Sequence, residues 1–322
     1  MEYRFSDLID PRFYETHGLA NGIPLRRHKD PFKEIEGAHR AQNDWFQNVR
    51  PVKGYQGGLG DSYSFMRVTV PECRPERLEI ISYANEFAFL YDDAMEDLPL
   101  HNHSSETSEF LSTFSDNALT ITMSPGNRPE KQLQANMLSE MMAIDPARAV
   151  TSMKAWAKFV QLASQTRSQP FRTMEEYLPS RIIDAGELIW FGTLTFAMAL
   201  TIPEEEYDLC MELARPGYAA LGLTNDLYSW EKERKAAEGL GQDYVFNAIW
   251  VIMNEQSVSE NEAKSICSSE IRKYVDKYCH VVEKARSNPN LSRDLRAYIE
   301  AVMYSISGNL VWSIYCPRYN KF

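Results

Sequence analysis

From Pro129 onward the chain is cut by breakers into stretches that all favour helix, and no strand signal finds a second one to pair with. The breakers are Asp145-Pro146, Gln169-Pro170, Ile202-Pro203, Gly239 with Gly241, and Asn288-Pro289. Between them the sequence predicts helices at about 129–144, 147–165, 173–200, 204–235, 243–256, 260–287 and 291–314. Upstream, Pro75 to Tyr91 is another helix, with proline in its first turn and an apolar face. Ser64 to Val70 has the Val and Thr content of a short strand, but without a partner it is expected to be helical or irregular. The expected class is therefore all-α, one helical bundle too long for four helices. With 322 residues, 44% of them hydrophobic, the chain can fill a single large core.

The expected organisation is one domain over residues 1–322 with two irregular parts. Residues 1 to about 60 are polar and punctuated by Gly and Pro, with one helix near 34–46. They are expected to form a strap over the helical body. Residues from Leu98 to about Pro129 are rich in Ser, Thr, His, Asn and Gly and are expected to form a flexible surface loop. His101 and His103 lie in that loop and read as solvated side chains, not as ligands.

Charge and cysteine usage exclude several function classes. A net charge of -11 and a pI near 5.2, with no basic stripe, argue against a nucleic-acid or anionic-membrane surface. Cys73, Cys210, Cys267, Cys279 and Cys316 are scattered and odd in number, as in a reduced protein, so neither a disulfide framework nor a zinc site is expected. The opening residues are charged, and no apolar run reaches the roughly 18 residues a membrane span requires. The richest stretch, Leu188 to Ile202, reads as a buried core helix. A soluble cytoplasmic protein is the expectation.

Two stretches carry chemistry. Asn225, Ser229 and Glu233 stand four residues apart, so a helix stacks an amide oxygen, a hydroxyl and a carboxylate on one face. Such an all-oxygen column suits a hard divalent cation such as Mg2+, which keeps waters and adds phosphate oxygens from a substrate. The other reading is a polar stripe on an exposed helix. In the second stretch, the apolar run from Tyr83 ends in four carboxylates, Asp92, Asp93, Glu96 and Asp97. Like charges at this spacing repel by a few tenths of a kcal/mol per pair. They also sit at a helix C-terminus, where the macrodipole disfavours anions, so a bound cation would relieve them. An acidic helix end running into solvent is the plainer reading.

Together these motifs resemble the paired metal-binding motifs of class I terpene cyclases, an aspartate-rich motif and an Asn/Ser/Glu triad. Arg181, Asp184 and Ala185 resemble the family's pyrophosphate-sensing arginine with its linker and effector positions. Arg318 and Tyr319 resemble its C-terminal Arg-Tyr pair. The wider text from Pro71 to Asp93 and from Ala301 to Asn320 resembles the cyclase domain of fungal bifunctional diterpene synthases of the fusicoccadiene synthase type. Glu96 departs from the simplest pattern, which has Asp there, and residues 1–322 are themselves expected to hold no prenyltransferase domain.

The resemblance implies three Mg2+ ions, held by Asp92 on one side and by Asn225, Ser229 and Glu233 on the other. Asp93 and Glu96 are further candidates. It implies that Arg181, Lys232, Arg318 and Tyr319 bind the diphosphate of an isoprenoid substrate. Phe65, Phe89 and Trp312 are the candidate wall for the carbocation, with Asp184, Ala185 and Asn309 also lining the substrate site. The implied reaction is cyclisation of geranylgeranyl diphosphate to a polycyclic diterpene, a 5-8-5 fusicoccane-like skeleton being the nearest analogy. A sesterterpene cyclase acting on geranylfarnesyl diphosphate stays open. So do a chain-elongating prenyltransferase, which would carry a second aspartate-rich motif in place of the triad, and a non-catalytic helical protein binding metal or a partner. In the full-length protein a fused C-terminal prenyltransferase domain is a further expected partner.

Overall fold

The computed structural model describes residues 2–51, 53–96, 128–166 and 170–320, so Asp97, His101, His103 and nearly all of the expected loop lie outside the described residues. The elements are β1 (Ser6–Leu8), β2 (Arg26–His28), α1 (Phe32–Asn48), α2 (Phe65–Thr69), α3 (Pro75–Glu96), α4 (Pro129–Ile144), α5 (Pro146–Thr166), α6 (Met174–Asp184), α7 (Glu187–Ala197), α8 (Tyr207–Gly239), α9 (Ala248–Gln256), α10 (Glu260–Ser287) and α11 (Arg293–Tyr315). The all-α expectation is met, and α2 is helical where strand-like composition competed.

Two details differ from the sequence reading. β1 and β2 pair antiparallel, Ser6 opposite His28, although neither three-residue stretch shows the apolar alternation that marks a strand. The predicted helix over 173–200 is two helices. Gly186 adopts φ 88, a left-handed conformation that costs glycine little, and it ends α6 and starts α7 in a new direction. The break falls at this glycine, and Pro179 stays inside α6.

α11 is the axis of the bundle. Residues 298–313 are buried all round, as expected of a helix enclosed by others. It packs on α2, α8 and α10, while α1 lies along α3 and α5 along α7. Its buried hydroxyls and amide are spent on backbone carbonyls: Ser305 donates to Thr69, Ser307 to Pro24 and Asn309 to Leu221. These bonds tie the N-terminal segment, α2 and α8 to one helix. Buried polar groups are tolerated in a core on that condition.

A second buried polar group positions α2. Ser64 offers this short helix no side-chain cap, and Glu34 of α1 accepts the Met66 backbone N–H instead, at 2.8 Å. Burial pushes the Glu34 carboxyl up to about 8, against the pull of that bond and of Arg67. The folded value thus exceeds that of an unfolded Glu, near 4.3. The associated stability is fully present below about pH 4.5 and is lost as pH rises towards 8, at up to about 1.4 kcal/mol per pH unit. Thermal melts from pH 5 to 8 should show a shallower decline of Tm in Glu34→Gln than in the parent. Identical slopes would mean that Glu34 does not titrate in this window.

Candidate active site

The oxygen column forms as its spacing requires. α8 runs unbroken through Pro216 and carries Asn225, Ser229 and Glu233 on successive turns. Each is held differently. Asn225 accepts from Arg181 Nη2 at 2.6 Å through Oδ1 and donates to the Tyr319 hydroxyl at 2.7 Å through Nδ2. Glu233 accepts through Oε2 from Asn247 Nδ2 at 2.9 Å. Ser229 Oγ is buried and has no hydrogen-bond partner among the described residues.

Arg181 lies in the last turn of α6, just before the break at Gly186, and is almost wholly buried. Its guanidinium donates from Nε to Asp226 Oδ1 (2.8 Å), from Nη1 to Asp184 Oδ2 (2.7 Å) and from Nη2 to Asn225. Burial works against the charge, but Asp226 and its neighbours outweigh it and hold Arg181 firmly protonated. Asp184, a site-lining position by the resemblance, thus pairs with Arg181 on its own helix, and Asp226 joins it from α8. Ala185 caps α6 and faces Gly222 of α8.

Asp226 and Asn247 were not singled out from sequence. Asp226 is fully buried and accepts from Arg181, from the Tyr177 hydroxyl at 2.8 Å and from the Ala248 N–H at 3.1 Å. Burial pushes its carboxyl up to about 6, with Arg181 pulling it down. Its signal was its place beside Asn225: a neighbour on a helix points about 100° away, here towards α6 instead of along the column. Asn247 caps the N-terminus of α9 through Oδ1, while its Nδ2 reaches both Glu233 and the Asp226 carbonyl. An Asn before an apolar helix was a legible cap, though not a legible brace for the triad.

The acidic end of α3 faces this column. Asp93 accepts from Lys232 Nζ at 2.9 Å and from both Arg318 Nη atoms, at 2.7 and 3.0 Å. Burial raises its carboxyl, and Arg318 and Lys232 more than offset that, leaving it below its usual range. Asp92, by contrast, keeps a side chain 49% exposed, with Arg318 no nearer than 3.6 Å. Of the acidic pair, Asp93 already serves side-chain cations and Asp92 is open. The side chain of Glu96 lies outside the described residues.

The residue types fit divalent metal. Among the described residues no three His, Cys, Asp or Glu side chains gather into a site, so a soft-ligand or all-carboxylate centre is not formed there. The donors on α8 are an amide, a hydroxyl and one carboxylate, all oxygen. The orphaned Ser229 hydroxyl is the kind of buried polar atom that calls for a partner from outside the chain.

Phe65, Phe89 and Trp312 do come together. The ring centroids are 5.5 Å apart for Phe65 and Phe89 and 4.8 Å for Phe65 and Trp312, while Phe89 stacks on Trp312 at 5.7 Å. Tyr319 packs edge-on against Trp312, and Arg318 lies over the Phe89 face at 4.9 Å to the centroid. Trp190 of α7, read from sequence only as part of a core helix, joins Phe65 at 5.8 Å and donates its indole N–H to Ser305. Asn309 is buried on α11 and points its amide at Leu221 on α8.

A family model described as terpene synthase family 2, C-terminal metal binding, matches residues 83–277. Fusicoccadiene synthase of Phomopsis amygdali is 44% identical to this chain, covering 99% of it and 46% of the relative. A bifunctional sesterterpene synthase of Aspergillus aculeatus is 42% identical, covering 99% of this chain and 45% of its own length. The chain thus spans about half the length of the curated relatives it matches. Among solved structures, wild-type cucumene synthase superposes with a TM-score of 0.68 at 15% identity, covering 90% of this chain and 98% of that one. Aristolochene synthase of Penicillium roqueforti gives 0.67 at 19% identity, covering 88% and 94%. These two likenesses establish a shared fold.

Asp226 and Ser229 should separate cleanly on mutation. Asp226→Asn leaves Arg181 buried with its main anion gone and should cost about 3–5 kcal/mol in denaturant unfolding. Ser229→Ala removes a hydroxyl that bonds nothing among the described residues and should change stability by less than about 1 kcal/mol. Equal losses would show that the Ser229 hydroxyl carries a structural bond.

Proposed function

The chain belongs to the terpene synthase family with the C-terminal metal-binding part, and on that premise we propose that it ionises geranylgeranyl diphosphate and cyclises the resulting cation. One observation carries this reading. The Asn225/Ser229/Glu233 column, with its orphaned hydroxyl, lies beside two hydrogen-bonded groups of candidate diphosphate donors, Arg181 and Tyr319 on Asn225, and Lys232 and Arg318 on Asp93 at the acidic end of α3.

Asp92 on one side and Asn225, Ser229 and Glu233 on the other would hold Mg2+, three ions by the family's pattern. We assign Asp93 to Arg318 and Lys232, with Glu96 left as a further candidate ligand. Bound there, the cations would stabilise charge developing on the departing diphosphate. Arg181, Lys232, Arg318 and Tyr319 donate to the diphosphate oxygens and hold the allylic C–O bond at the mouth of the aromatic wall. Each rests on a protein group beforehand, so the diphosphate takes over donors that Asp93 and Asn225 already hold in place. Phe65, Phe89, Trp190 and Trp312 present ring faces and edges and no nucleophile. Each well-placed face stabilises a passing cation by roughly 0.5–2 kcal/mol.

The C25 alternative rests on the Aspergillus aculeatus relative, which is named a bifunctional sesterterpene synthase and is nearly as similar as the diterpene relative. The word bifunctional in that relative's name, with the partial coverage of both, supports a second, prenyl-transferring half in a longer protein. Among the described residues no helix is long and apolar enough to cross a membrane.

Incubation with Mg2+ and, separately, farnesyl, geranylgeranyl and geranylfarnesyl diphosphates, followed by hexane extraction and gas chromatography with mass detection, tests the proposal. A C20 hydrocarbon that EDTA abolishes is expected. A C25 product would promote the alternative, and longer prenyl diphosphates made only with isopentenyl diphosphate would favour a transferase. Asn225→Ala and Glu233→Ala should each lower turnover at limiting Mg2+ by about 10²-fold or more. Full turnover in either would remove the triad from the metal site.

A further inference from the structure

Glu86 is a buried carboxylate that the proposed chemistry does not use, and it lies directly behind the aromatic wall. It sits on α3, one turn before Leu90, and is only 1% exposed. Its Oε1 accepts from Gln42 Nε2 at 2.6 Å and from the Tyr55 hydroxyl at 3.0 Å, and its Oε2 accepts from the Gly58 N–H at 2.9 Å. Burial raises its carboxyl, while the Gly58, Gln42 and Tyr55 bonds and the charge of Arg318 pull it back.

What Glu86 holds is the short segment 56–58, and that segment holds the site. The Gly58 carbonyl accepts the Phe65 backbone N–H at 2.8 Å and the Trp312 indole N–H at 2.9 Å. Two residues earlier, the Gln56 carbonyl accepts from Arg318 Nη1 at 2.8 Å. The segment fits against the carboxylate with no spare room: a Cβ on Gly57 would lie 1.8 Å from Glu86 Oε1. α2 and, far from it in sequence, α11 with the Arg-Tyr pair that follows it are therefore registered against one another through a backbone strip fixed by Glu86.

We propose that Glu86 is a positioning residue for catalysis: through the 56–58 strip it sets Phe65, Trp312 and Arg318 relative to one another, and so where the cation sits against the wall and how it is channelled to product. This rests on the cyclase reading above. Bonds to a charged acceptor are stronger than neutral ones. An amide in place of the carboxylate would keep the volume but set its N–H2 group against the N–H of Gly58 or the donors on Gln42 and Tyr55. A shift of about 1 Å in a positioning group can cost roughly 10²-fold in rate.

The test compares the parent with Glu86→Gln in the full chain. Two readouts are taken: the product mixture with KM and kcat on geranylgeranyl diphosphate, and the indole N–H resonances of the 15N-labelled protein without substrate. Trp312 is assigned with Trp312→Phe. A folded variant is expected to show a moved Trp312 resonance, unmoved signals for the distant Trp156, Trp230 and Trp250, additional early-quenched products, and about 10-fold lower kcat/KM. An unmoved Trp312 signal with unchanged product proportions, or activity falling only with the folded fraction, overturns the proposal. If Glu86→Gln fails to fold, Gly57→Ala displaces the same contact from the strip side and is read identically. If the parent makes no terpene, the cyclase reading fails by itself, and the Trp312 resonance alone decides whether Glu86 positions the strip.

Discussion

A guanidinium taken almost wholly out of water cannot stand without anions, and for Arg181 those anions come from two helices. Asp184 lies on its own α6, but Asp226 belongs to α8 and accepts as well from Tyr177 and from the first N–H of α9. Matching that one charge docks α6 on α8 and aims α9 at the same point. The triad's other supports follow from this docking. Asn247, at the start of α9, reaches Glu233, and Asn225 is clasped between Arg181 and Tyr319. The left-handed turn at Gly186 lets α6 end just past Arg181, at Asp184, while α7 departs to pack on α5.

The same logic governs the opposite wall. To take up the proposed diphosphate, a chain of net charge -11 would have to focus cations at one point and hold them in a fixed geometry. Here Arg318 and Lys232 both lean on Asp93, and Arg318 is further fixed by Gln56 and by the face of Phe89. Held so, they lose little rotational freedom when an anion arrives. The neighbouring Asp92 is left open because Asp93 absorbs those charges.

Most of the fold was legible because proline and glycine placed the helix ends, and the triad was legible because its period matches a helical turn. The departures have physical causes. Three residues pairing with three others, as in β1 and β2, carry no periodic signal. Asp226, Asn247 and Glu86 act across the fold, through contacts 14 to 49 residues away in sequence, and sequence spacing cannot reveal a partner at such separation. Trp190 sits in a run so uniformly apolar that nothing distinguishes a ring in the aromatic cluster from a ring in the core.

The Gly58 carbonyl bears on the kind of surface a cation would meet. A carbonyl oxygen has two lone pairs, and here one is taken by the Phe65 N–H and the other by the Trp312 indole N–H. The hydroxyl of Ser305 is likewise committed, to Thr69 and Trp190. The backbone oxygen directly behind the aromatic cluster is thereby saturated. It has no lone pair left to anchor a water molecule or to accept a proton from an electron-poor carbon, so the wall is inert by occupancy as well as by composition.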